Sequence, residues 1–362
     1  MQPPKRSPVL GRAFIRFIFN VAVFAASIWF LWDVLRDIGL QAVWRRIAGA
    51  DALLVVGILA ATVARFMLLG LRWEILVRAE APIGYRPTLS ILMAGNFLNL
   101  VAPGLRVAGP VLRAFYLSKE TGRPRARIYG TIVADQAANF SIFIVAMVVS
   151  GVMIQARSDT GITLGAGLAV LAALLGGHYL GMRHLQRLKL GRPSMIRTAV
   201  HRILRPDEKG KGSESLTRRF LAWWEHLLEA LAASVIGTGT WWPAMGVSAV
   251  LFLVLATGQA LAMAAVGAPV SLAYAAFAIA AAAFVQMLAA SPGGPGITEA
   301  SLVLIFLALG MDVESAAAGT FVARIVNYLV LLPWGGVAFW RLQRRYGTAG
   351  AEPEESPAAA EA

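Results

Sequence analysis

Several charged side chains stand within or beside apolar stretches of this sequence, notably Arg65, Arg106, Arg113, Asp135, Glu299 and Arg324. An ionisable group in hydrocarbon or in a dry core is costly unless it meets a counter-charge, a ligand or water, so such groups are functional candidates by default. Arginine adds a planar fork of donors that matches the oxygens of a phosphate or carboxylate. Arg106 and Arg113 follow a break in the apolar run at Pro103-Gly104. For Arg113 the competing role is that of a cytosolic anchor. Asn96 and Asn99, three residues apart just before the break, are suited to satisfy free backbone or to contact a polar head group.

A second break, from Ser291 through Pro292, Gly293, Gly294, Pro295 and Gly296, precedes Glu299. Its helix breakers leave free N–H groups at the start of the next helix, an end that attracts anions. Glu299 in that first turn either caps the helix or serves as a proton-linked or substrate-facing carboxylate. Asp135 and Arg324 sit inside apolar helices, each with a threonine four residues earlier, Thr131 and Thr320. They are expected to meet as an ion pair, structural or gating, with Asn139 and Asn327 as polar company. Arg65 lies mid-segment, whereas Arg72 is nearer a helix end and can snorkel.

Other chemistry finds little support. The four histidines, His178, His184, His201 and His226, lie at a membrane end or in a basic stretch, and there is no cysteine. No catalytic residue, metal or cofactor is expected.

The elements that position the charged groups follow from composition. Hydrophobic residues make up 58% of the 362 and charged residues 15%, a balance that a soluble domain could not carry without large exposed apolar patches. Apolar stretches recur at about 13–35, 51–78, 87–102, 128–154, 161–181, 243–266, 271–290, 298–310 and 318–340. They are apolar all round rather than alternating, so helices are expected and not a barrel. The segments 105–118 and 298–310 are too short to span unaided, and each follows a Pro-Gly motif. Each is either half of a broken span or one arm of a re-entrant hairpin. The 33 Lys and Arg, against 20 Asp and Glu, concentrate in loops as the positive-inside rule requires, which argues against a nucleic-acid partner.

The organisation expected is a membrane bundle over 1–181 containing a first repeat (about 51–154), a basic cytoplasmic loop at 182–240, a second repeat at 241–345 and a disordered acidic tail at 346–362. The loop ends in a segment with Leu221, Trp224, Leu228 and Leu231 at helical spacing, either an interfacial amphipathic helix or a packed linker. The repeat shows in Ala102-Pro103-Gly104 against Ser291-Pro292-Gly293 and in Thr131 through Asp135 against Thr320 through Arg324, both at an offset of 189. Loops of the first half carry Arg78, Arg86, Lys119, Arg123, Arg125 and Arg127, whereas those around Pro269 and Met311 carry only Asp312 and Glu314. Equivalent loops on opposite sides make an inverted-topology repeat, which places a site where the halves meet near the midplane.

Three motifs carry a resemblance: Arg72-Trp73; Asn99 with Pro103-Gly104 through Gly109 to Arg113; and Pro292-Gly293-Gly294-Pro295-Gly296 leading to Glu299. Over about residues 15–345 the chain resembles the flippase-type transmembrane domain of lysylphosphatidylglycerol synthases and the stand-alone membrane proteins related to it. The resemblance implies a lipid substrate, and the stretch after Arg345 is not expected to form the soluble aminoacyl-transferase domain of the full synthases. It departs from the family pattern at Ala108 and Pro110, where an acidic residue is missing, and at Gln136 and Asn139, where two charges are missing.

The function expected is a flippase or scramblase for a phospholipid or related polar lipid, not an enzyme. Arg113, Arg106, Asn96, Asn99, Gly293, Gly294, Gly296 and Glu299 would bind substrate, and Asp135, Arg324, Arg65, Asn139 and Asn327 would form the gate or ion pair. Alternatives are a hopanoid or polyprenyl-lipid transporter, an intramembrane transferase and a non-transporting subunit of a lipid-biosynthetic complex. The expected place is the bacterial cytoplasmic membrane, with both termini cytoplasmic, membrane lipids as neighbours and a homo-oligomer as an option.

Overall fold

A computed structural model describes residues 40–101, 108–155, 239–288 and 297–347. In chain order the helices are α1 (Leu40–Ala48), α2 (Ala52–Val77), α3 (Tyr85–Val101), α4 (Ala108–Thr121), α5 (Arg125–Gln155), α6 (Trp241–Ala265), α7 (Leu272–Leu288), α8 (Ile297–Ala308) and α9 (Val313–Tyr346). Among the described residues there is no strand. The expected spans at 13–35 and 161–181 and the segment 182–238 lie outside the described residues, as does the tail beyond Gly347.

Four helices, α2, α5, α6 and α9, have 26, 31, 25 and 34 residues and are long and apolar enough to cross a membrane. At 1.5 Å per residue they reach about 38–51 Å, against about 30 Å of hydrocarbon. Leu53, Val56, Leu253 and Leu329 face outward from them, an apolar surface suited to lipid tails and not to water. The chain is an all-α, multi-pass membrane protein. Asp51 starts α2 by accepting from the N–H groups of Leu53 and Leu54 at 2.8 and 3.1 Å. Asp312 starts α9 by accepting from the Ser315 N–H at 2.9 Å. Each cap satisfies donors that a helix start otherwise leaves free.

The repeat is visible in the elements themselves. From Ala52 to Trp241, Tyr85 to Leu272, Ala108 to Ile297 and Arg125 to Val313 the starts are displaced by 189, 187, 189 and 188 residues. Each half is a long helix, two short ones and a second long helix. The packing is exchanged between halves: α2 lies on α6, α3 on α9 and, in the mirrored sense, α7 on α5. Gly335 admits this closeness, since a Cβ there would meet the Phe97 Cβ at 2.7 Å and the Met93 carbonyl at 2.9 Å.

Equivalent helices run in opposite directions. The Asp51 N–H, at the start of α2, donates to the Ala265 carbonyl, at the end of α6, at 3.0 Å. Further along, Gly57 lies against Leu261 and Gly258 against Ala61. On one face Glu80 pairs with Arg127 at 3.5 Å and Glu120 with Arg345 at 3.6 Å, gathering the α2–α3 turn, the α4–α5 turn and the end of α9. On the other, Arg46 reaches Asp312 at 3.8 Å and Glu314 at 3.5 Å, beside the end of α6. The repeat is therefore inverted.

The short helices also settle between the two forms left open by sequence. Asn99 Oδ1 accepts from the Gly109 N–H at 2.7 Å, and Gly95 lies against the Arg113 side chain. The arms α3 and α4 are antiparallel, so the segment 102–107 joins their neighbouring ends and the unit is a hairpin. With 17 and 14 residues, the arms reach about 26 and 21 Å, short of a full span. Their counterparts α7 and α8 also pack against each other.

Cysteines placed at Pro82 and at Pro269 of this cysteine-free chain should react with an impermeant maleimide from opposite sides of sealed vesicles. Labelling of both from one side would be incompatible with antiparallel α2 and α6.

Candidate functional site

Between the halves lies a cavity of about 300 Å³. Its wall includes Arg65, Asn96, Asn99, Arg113, Asp135, Asn139, Glu299, Arg324 and Asn327, so every candidate residue that falls among the described residues lines one chamber. Arg106, Gly293, Gly294 and Gly296 lie outside the described residues. Arg65, Asp135 and Arg324 come from the interiors of α2, α5 and α9, and Asn99 and Glu299 from the hairpin ends next to the Pro-Gly motifs. The ends of α3 and α8 that carry Asn99 and Glu299 thus stand beside the interiors of the long helices.

In the first half the charges form a fully buried triad. Arg72 Nε donates to Asp135 Oδ1 at 2.7 Å, and Arg113 Nη2 to Asp135 Oδ2 at 3.5 Å. Arg72 Nη1 also donates to Asn139 Oδ1 at 2.9 Å and to Ser248 Oγ at 3.4 Å. Arg113 stacks its guanidinium 4.0 Å from the centre of the Trp73 ring, and Trp73 Nε1 donates to Thr131 Oγ1 at 3.3 Å. Gly95 permits the run of Arg113 along α3, since a Cβ there would meet the Arg113 Cγ at 2.7 Å. The Arg113 Nε is buried without a hydrogen-bond partner. Asp135 is therefore shared, closely with Arg72 and more loosely with Arg113.

The second half repeats the plan with signs exchanged. Arg324 Nε donates to Glu299 Oε1 at 2.7 Å, with Tyr328 alongside. The Arg324 side chain keeps 27% of its surface accessible, so the chamber is not sealed. Arg65 Nη1 donates to Asn327 Oδ1 at 2.8 Å, and among the described residues no carboxylate stands within ion-pair distance of it.

Two expectations are corrected. Asp135 and Arg324 do not pair across the halves, because each is taken by a partner from its own half's hairpin or first helix: Arg72 and Arg113 for Asp135, Glu299 for Arg324. Arg72 does not snorkel. It is 1% exposed and is the tightest partner of Asp135. A signal for this was present: Arg65 and Arg72 are two turns apart on one face of α2, and Asp135 and Asn139 are one turn apart on α5, a matched set of donors and acceptors. Thr298 and Tyr328 also line the cavity and carried no comparable signal, whereas Gln136, also on the wall, had stood out as a departure from the family pattern.

The profile of the lysylphosphatidylglycerol synthase TM region matches residues 17–335. The chain belongs to this family. A UPF0104 membrane protein of Methanothermobacter thermautotrophicus is 23% identical over 291 residues, covering 78% of this chain and 84% of the relative. A second UPF0104 membrane protein, from Methanocaldococcus jannaschii, is 22% identical over 134 residues, covering 36% of this chain and 39% of that protein. Of the motifs that carried the resemblance, Arg72-Trp73 and Arg113 now have a joint role: the indole and Asp135 hold the guanidinium from two sides.

Removing Asp135 would leave two buried guanidiniums uncompensated, and breaking a buried pair costs about 3–5 kcal/mol. Asp135→Asn should therefore lower the unfolding midpoint of the detergent-solubilised protein sharply. In double-mutant cycles Asp135→Asn should couple strongly to Arg72→Gln and add to Arg324→Gln within about 0.5 kcal/mol. Strong coupling between Asp135 and Arg324 would restore the cross-repeat pair.

Proposed function

We propose that the chain is a lipid flippase or scramblase whose cavity shelters an anionic head group while the tails stay in the bilayer. The observation that carries this reading is the charge of the chamber wall among the described residues: four arginines, Arg65, Arg72, Arg113 and Arg324, against two carboxylates, Asp135 and Glu299. Two positive charges are left over. Arg72 and Arg324 hold the close pairs, so the surplus belongs to Arg65 and Arg113. Uncompensated guanidiniums at this depth are expensive, and a phosphate entering between them repays the cost with charge-assisted hydrogen bonds. A cationic, aminoacylated head group would add like charge to a wall that is already positive. Inverted repeats supply the two access routes, since each presents the same hairpin to the opposite face. The head group needs only to be held and released, and the wall offers ion pairs and amides rather than an aligned nucleophile and base.

The test is translocation of fluorescent lipids in proteoliposomes, comparing phosphatidylglycerol, phosphatidylcholine and lysyl-phosphatidylglycerol. The anionic lipid should move fastest. Arg113→Ala should weaken its capture by about ten- to a hundredfold, the value of one charge-assisted hydrogen bond, and Arg113→Lys should recover only part. Arg72 remains on Asp135 in both variants, so folding should survive. Movement of none of the lipids, or equal movement of all with Arg113→Ala unaffected, would defeat the proposal.

A further inference from the structure

A second cavity, of about 210 Å³, adjoins the first. The two share Arg65, Phe143, Leu255, Thr298, Arg324 and Asn327 as a common wall. Beyond it the second chamber is mainly apolar, with Ile279, Ala282 and Leu302 among its lining, and two further polar residues, Gln259 and Thr320, border it. Neither is satisfied: Gln259 Nε2 and Thr320 Oγ1 are buried without a hydrogen-bond partner. The residues are 6% and 0% exposed. A buried polar group left unpaired is a standing cost that leucine or valine would not carry, so two beside one cavity call for a ligand.

The repeat shows that this is a local departure from the shared plan. At the offset of 189, Thr320 corresponds to Thr131 and Ala262 to Trp73. In the first half the indole fills the space and donates to Thr131. In the second half the alanine offers no such donor, and the threonine hydroxyl is unpaired.

We propose that this second chamber receives the ester carbonyl of a glycerolipid whose phosphate lies against Arg65 and Arg113, which makes the site selective for ester-linked lipids. This rests on the lipid-transport reading above and adds the class of lipid to it. The free groups are an amide N–H and a hydroxyl, both able to donate, and an ester carbonyl accepts without needing to donate. Among the described residues no carboxylate lines this chamber. Its volume equals that of about seven liquid waters, enough for an ester and its first methylenes and too small for two whole chains. Arg65 lies on the common wall, so both chambers border the same guanidinium. An isoprenyl phosphate or a dialkyl ether lipid has no carbonyl to place there.

Native mass spectrometry of the full chain in detergent can count retained lipid after incubation with diester phosphatidylglycerol or its dialkyl ether analogue. The diester should be retained with about five- to tenfold higher affinity, the worth of one neutral hydrogen bond. Gln259→Leu and Thr320→Val should each reduce that preference without weakening ether-lipid retention or lowering the unfolding midpoint, because each removes an unsatisfied buried polar group. Arg113→Ala should weaken both lipids alike. Equal retention of diester and ether by the unaltered protein overturns the ester site, the chamber then holding water only, and leaves the anionic-lipid reading intact. Retention of neither overturns both.

Discussion

A guanidinium at mid-depth in a bilayer must be matched by a counter-charge or by a ligand that supplies one, and four of them meet in one chamber here. Two are matched within the chain, Arg72 by Asp135 at 2.7 Å and Arg324 by Glu299 at the same distance. The other two are held by weaker means: Arg113 by a stacked indole and a shared carboxylate, Arg65 by an amide. This division organises the rest of the fold. The close pairs tie α2 to α5 and α8 to α9, and the loosely held pair is left facing the cavity. Exchange of the halves, α3 on α9 and α7 on α5, then closes the walls around it.

The two halves solve one problem with opposite signs. Each places a charge in the interior of its last helix, Asp135 or Arg324, and an opposite charge on its second short helix, Arg113 or Glu299. Had the signs been kept, the chamber would hold like charges at equivalent positions across the pseudo-two-fold. With them exchanged, each half pairs its interior charge within itself, Asp135 with Arg72 and Arg324 with Glu299.

Most of the architecture was legible because the physics behind it is one-dimensional. The apolar segments 51–78, 87–102, 243–266 and 271–290 fall within a few residues of α2, α3, α6 and α7, since length and hydropathy alone decide them. The contrast between Arg78, Arg86 and Arg125 on one set of loops and none near Pro269 and Met311 already carried the inversion. Polar residues stranded in apolar context pointed to a site, and the described ones converge in a single chamber. What failed was partner choice. Matching repeat positions suggested that Asp135 meets Arg324, but a pseudo-two-fold does not bring every equivalent pair to its axis, and Arg72 and Glu299 lay closer. The unpaired hydroxyl of Thr320 was likewise invisible, because it depends on alanine standing where the first half has tryptophan, on a different helix. Hairpin against broken span was undecidable by crossing parity and was settled by two contacts, Asn99 with Gly109 and Gly95 with Arg113.

The central claim, that the surplus charge of the chamber is neutralised by a lipid phosphate, is tested most directly by an electron cryomicroscopy map of the full chain in phosphatidylglycerol nanodiscs. The account predicts head-group density between Arg65 and Arg113, within hydrogen-bonding distance of both guanidiniums, with Asp135 still on Arg72 and Glu299 still on Arg324. A chamber holding only water, with Arg65 and Arg113 turned onto the carboxylates, would contradict it.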